Sequence, residues 1–163
     1  EIGSGLVGSE MCIRDSLRGK FNNGSDEPFR IPDNTDLYHI IWTLMSKRRS
    51  DQSPVDNGNL TFILPEPRIG KDPLVYNYLS SRAARIIEIE IRRMFNRELH
   101  SVMDENDQNG HEFNNLDIVH NFLCSYCIES ISEDALLKNF YRWRENIRKR
   151  KRRREYKKKL KNG

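Results

Sequence analysis

No stretch of the 163 residues approaches the ~18 consecutive apolar residues that a membrane-spanning helix needs, so no transmembrane span is expected. Cysteine is scarce. Cys12, Cys124 and Cys127 do not make the framework of a small secreted disulfide scaffold, and a reducing compartment suits them better. Catalytic signatures are missing too. Gly70-Lys71-Asp72 lacks the remainder of a Walker motif, and neither G-x-S-x-G nor H-E-x-x-H occurs. Asp104, Glu105, Asp107, Glu112 and Asp117 have the chemistry for a metal-dependent nuclease, but nothing in their order makes them converge. No enzyme, cofactor or catalytic residue is therefore expected.

What the chain does have is charge, unevenly placed. The net charge is only +4, but residues 138–161 hold 14 Lys/Arg against Glu145 and Glu155. That segment carries +12 and leaves −8 for the rest. An acidic body with a basic arm discourages indiscriminate adhesion to polyanions and concentrates contact on one surface. Hydrophobic residues make up 36% and charged residues 32%, so the core is thin for the length and some segments must lie outside it.

Residues 1–16 contain GLVGSEMCIRDS, which resembles translated sequencing-adapter read-through. They lack the cationic start and apolar stretch of a signal peptide. Residues 1–30 are accordingly expected to be a disordered or artefactual leader, and 17–34 to be a polar loop or linker rich in turn residues.

The body, 31–114, reads as helical. Asn34 or Thr35 caps a helix from Asp36 to about Arg48, whose buried stripe is Leu37, Ile40, Ile41, Leu44 and Met45. Lys47-Arg48-Arg49 suits the negative end of its dipole. A polar linker over 50–59 follows. Leu60–Leu64 is the one expected strand, and its unpaired backbone needs either the N-terminal region or a second copy of the chain. Asp72-Pro73 marks the start of a long helix to about Met103, bent at Ser80-Ser81, and a candidate homodimer seam. Residues 104–115 read as a polar loop without EF-hand spacing.

The third region, 115–163, carries the functional expectation. Asn114 or Asn115 caps a helix from Leu116 to Ile128, and Ser130 or Ser132 caps the last helix from Glu133. Leu136, Phe140, Trp143 and Ile147 form its apolar face. His120, Cys124 and Cys127 share a helical face, with His111 as a fourth candidate zinc ligand. The second spaced pair of a zinc site is missing, so no metal is expected and the cysteines read as buried packing residues.

This helix-break-helix pattern resembles the helix-turn-helix, over about a fifth of the chain. The run LLKNFYRWRENIRKRKRRR resembles regulatory or accessory proteins of phages and other mobile elements. The resemblance implies that the last helix enters a DNA major groove. It departs from the pattern in placing Glu133 and Asp134 where base-contacting residues often stand, and in lacking a turn glycine. The mainly α fold thus ends in a helix-turn-helix-like unit with a basic helical extension. Lys138, Asn139, Tyr141, Arg142 and Arg144 are the candidates near base edges and flanking phosphates. Arg148, Lys149, Arg150, Lys151, Arg152, Arg153, Arg154, Lys157, Lys158 and Lys159 are the candidate phosphate contacts. Repulsion among these cations predicts that the last ~15 residues order only on a polyanion. DNA is the expected partner, in a cytoplasmic, nucleoid-associated protein. RNA bound by an arginine-rich helix and an acidic protein partner are the alternatives.

Overall fold

The computed structural model describes residues 3–6, 11–22, 28–52, 60–66 and 70–161. The protein is mainly helical, as the periodicity predicts. Its elements run β1 (Gly3–Leu6), α1 (Met11–Asn22), β2 (Phe29–Arg30), α2 (Asp36–Leu44), β3 (Leu60–Ile63), α3 (Ser81–Gln108), α4 (Asn115–Ser125) and α5 (Glu133–Lys161). They form two compact units, Glu1–Asn96 with Cys124–Ser130, and Arg97–Leu123 with Ile131–Gly163. The boundary between these units falls inside α3.

The first unit is organised on β3. This strand is not alone: β1 pairs with it antiparallel and β2 parallel, giving the order β1-β3-β2. The backbone groups that demanded a partner find it within the chain, so the strand gives no reason for a second copy. Strand β1 and helix α1 both lie in the stretch expected to be a leader. Phe62 of β3 is fully buried, and packs in one core with Leu17, Phe29, Leu37, Ile41 and Ile87. Gly19 of α1 lies against the backbone of Tyr126, where an added Cβ would stand 2.3 Å from the carbonyl oxygen. No larger residue fits there without moving backbone.

Helix α2 begins as expected, with the Thr35 hydroxyl accepting from the Tyr38 N–H at 3.2 Å. It stops earlier. Met45 turns extended, and Ser46 bridges to Tyr78. The cation at its C-terminus is not Lys47-Arg48-Arg49 but Lys71, whose ammonium donates to the carbonyls of Trp42, Thr43 and Met45 at 3.0, 2.7 and 2.7 Å. Those are the orphan acceptors at the negative end of the helix. Lys47 instead sits over the Tyr76 ring, 5.2 Å from its centroid.

Asp72-Pro73 starts only a turn, in which Asp72 Oδ1 accepts from the Leu74 N–H at 2.8 Å. The long helix α3 begins at Ser81, and Ser80 is its cap: the Ala83 N–H donates to Ser80 Oγ at 3.2 Å. The serine pair read as a bend is thus a helix start. At the other end α3 continues through Asp104–Gln108, read as loop, and stops at Gly110 with φ 86°. There the His111 N–H donates back to the Asn106 carbonyl at 2.9 Å, the long bond of a Schellman stop.

The second unit packs the end of α3, all but the last residues of α4, and the start of α5. Asn115 at the head of α4 donates to the Tyr141 hydroxyl at 3.2 Å, and His120 one turn later meets Glu133 at 2.7 Å. Pairs in that order make α4 antiparallel to α5. His100 and Asp107 of α3 meet Asn139 and Arg144 in the same order, so α3 and α5 run parallel. The result is an up-down-up arrangement of three helices around Leu99, Met103, Val119, Phe122, Leu136 and Phe140.

Candidate nucleic-acid interface

Helix α5 has two parts with different surroundings. Ser132, and not Ser130, is its cap, accepting from the Ala135 N–H at 3.3 Å, and Glu133 and Asp134 occupy the first turn where the dipole favours them. Leu136 and Phe140 are buried. Trp143 is half-buried, its ring 4.4 Å from that of His100 and 5.7 Å from that of Phe140. The expected apolar face ends here. Ile147, assigned to it by spacing, is exposed, because neither α3 nor α4 reaches so far along α5. From Asn146 to Lys161 every residue is exposed. That distal segment is about 24 Å of helix at 1.5 Å per residue.

The candidate residues divide along the same line. Asn139 Oδ1 accepts from His100 Nε2 at 2.7 Å. Arg144 is ion-paired with Asp107 and lies over the rings of Phe140 and Tyr141. Tyr141 accepts from Asn115. These three side chains, expected near base edges, are committed to holding α5 against α3 and α4. Lys138 is exposed but pairs with Asp134 at 2.6 Å. Arg142 is exposed, and among the described residues neither it nor Arg148, Arg150, Lys151, Arg152, Arg153 or Arg154 is in an ion pair. Lys157, Lys158 and Lys159 are likewise exposed; Lys149 lies 3.8 Å from Glu145. The distal segment is continuous helix to Lys161, where repulsion predicted an unformed end. Basic residues in its last turn are well placed against the helix dipole.

Sequence reasoning did not find the anchors of α5 in α3. Asp107 stands in a polar run that reads as loop, and His100 falls between apolar positions of α3; no local spacing marks either as a partner of α5. The same face of α3 lines a cleft of about 540 Å³, with Arg97, His100, Ser101, Asp104, Glu105, Gln108 and Trp143. The expected buried cysteines are corrected. Helix α4 ends at Ser125, Cys127 takes a left-handed φ of 51°, and both Cys124 and Cys127 are exposed. His120 Nδ1 is 2.7 Å from Glu133, and among the described residues no His, Cys, Asp or Glu cluster could hold a metal. Nor is any described helix long and apolar enough to cross a membrane.

His100 gives the second unit a pH dependence. Burial disfavours its charged form and lowers its pKa from the ordinary value, outweighing the Asn139 hydrogen bond, which acts in the opposite sense. The unfolded chain therefore binds more protons than the folded chain just below about pH 6.5. Stability is complete above that value and is lost as pH falls through the window beneath it. Thermal unfolding should show this loss, and His100→Gln should remove it. An unchanged acid slope in the variant would show that another group is responsible.

Comparison with protein-family models, with curated proteins and with solved structures gives no match.

Proposed function

We propose that the protein binds duplex DNA through the exposed distal half of α5, as a small regulator or accessory factor. The observation that carries this reading is the cationic helix itself. Arg148–Arg154 and the lysines 157–159 and 161 all lie on a segment that buries nothing. At 100° per residue their side chains radiate on every side of the axis. A ligand that touches many of them must present negative charge on both sides of the helix. The major groove of B-DNA, about 12 Å wide, does so and admits a helix about 10–12 Å across.

A flat anionic membrane fits less well. An interfacial helix needs a broad apolar face, whereas 148–161 has only Tyr156 and Leu160 without charge. The reading does not lean on Asn139, Tyr141 or Arg144, which have work inside the fold.

The test is binding of the full chain to a random duplex library over a salt series. Each phosphate contacted releases counterions, so six to ten contacts predict a loss of roughly 10³–10⁵-fold between about 50 and 200 mM salt. Binding without salt dependence, or no binding at low salt, would refute the proposal. Preference for structured RNA over duplex DNA would move it to the arginine-rich RNA-binding alternative.

A further inference from the structure

The distal segment of α5 is not uniform around its axis. From Arg148 to Lys161 its two uncharged side chains, Tyr156 and Leu160, stand four residues apart on one face, each 65% exposed. Lys149 falls on the same stripe, and Glu145 one turn before it lies 3.8 Å from its ammonium. The stripe is therefore the least cationic line on the helix. At 100° per residue, Arg148, Arg152 and Lys159 flank it on one side, and Arg150, Arg153 and Lys157 on the other.

We infer that this stripe faces the floor of the DNA major groove, with Tyr156 and Leu160 as base-contacting, specificity-determining residues. The inference rests on the DNA-binding reading above and adds the orientation of the helix to it. Charge complementarity selects the occupant. Two rows of cations separated by a narrow line, on which the one cation Lys149 is paired with Glu145, match two rows of phosphates separated by a non-ionic floor, as in the duplex major groove. An acidic protein surface offers no such second row. In the groove, Leu160 has thymine methyl groups as its natural apolar contact, and the Tyr156 hydroxyl can donate to or accept from a base edge. Exposure in the free protein is what such residues require, since any contact within the fold would take them out of the groove.

The full chain would be compared with the Tyr156→Ala/Leu160→Ala double variant on the preferred duplex and on scrambled duplex. Both side chains are exposed, so the variant should fold as the parent does. Its affinity for the preferred site should fall towards that for scrambled duplex, with the salt dependence unchanged. Deoxyuridine in place of a contacted thymidine should weaken the parent about fourfold per lost methyl, and the double variant not at all. Arg154→Ala/Lys158→Ala, on the opposite face, should weaken both duplexes equally. Three results would overturn the orientation while leaving DNA binding intact: unchanged discrimination in the double variant, no effect of deoxyuridine on the parent, or parental binding without sequence preference. Absence of binding by the parent to any duplex would instead remove the reading on which the orientation rests.

Discussion

A chain ending at Ile147 should lose affinity for duplex DNA by roughly 10³-fold or more at low salt, while its thermal unfolding stays where it was. Both halves of that expectation come from the same geometry. The removed segment contains eleven Lys/Arg against the single Glu155, and these are the groups whose counterion release would drive association. Every described residue of it is exposed, so its loss removes no buried apolar area and no tertiary hydrogen bond of the described residues. Circular dichroism should report only the helix deleted. A truncated chain that binds as the parent does would place the contact elsewhere. A truncated chain that unfolds would show that the segment supports the body after all.

Arg144→Met should destabilise the second unit by about 3 kcal/mol, because it leaves Asp107 without its cation. The Asp107 side chain is only 15% exposed and that of Arg144 27%, so water compensates little. Asp107 Oδ1 lies 3.1 Å from His111 Nδ1, which matches an arginine only when the ring is protonated. For a unit of this size the loss corresponds to about 10 °C or more in unfolding temperature. Arg142→Met, on the far side of α5 and exposed, should change stability by less than about 0.5 kcal/mol. Combining Asp107→Asn with Arg144→Met should restore part of the loss, since no uncompensated charge then remains. Equal unfolding temperatures for Arg144→Met and the parent would show that the pair contributes nothing to the fold.

Where local physics decides, the sequence narrowed the caps of α2, α4 and α5 to two residues each, and the structure selects one of each pair. Thr35, Asn114 and Ser132 cap helices because a short oxygen-bearing side chain before an apolar repeat has few other uses. Asn114 Oδ1, for instance, accepts from the Leu116 N–H at 3.2 Å. The errors lie where distant residues overrule local preference. Helix α2 stops at Leu44 because Ser46 pairs with Tyr78 and Lys71 gathers the last carbonyls, 26 to 29 residues away in sequence. The run Asp104–Gln108 has loop composition but is helical, since Asn106 holds both the Phe113 N–H and its carbonyl, at 3.0 and 2.9 Å. The Asn109-Gly110 pair just after it was the available signal for a helix stop.

The candidate site was legible in part for the same reason. A dense charge run on an exposed helix is a property of composition, so Arg148–Arg154 and Lys157–Lys159 needed no tertiary knowledge. Asn139, Tyr141 and Arg144 did. Their residue types suit base contact, but His100, Asn115 and Asp107 occupy them, and no periodicity along α5 indicates that.

The His100 stack and the Asp107 pair together clamp α5 near Arg144, and from Asn146 the helix runs on exposed for sixteen residues to Lys161. That makes a cantilever about 24 Å long, while mobile ions damp a field over only about 8 Å at physiological ionic strength. The carboxylates at its root, Asp107 and Glu145, are therefore largely screened from its far end. A polyanion at the distal segment meets eleven Lys/Arg against the single Glu155 and is attracted on balance. The root's repulsion enters only after capture, when it can act on how the complex settles. Capture rate and settled affinity should accordingly answer to different ends of one helix.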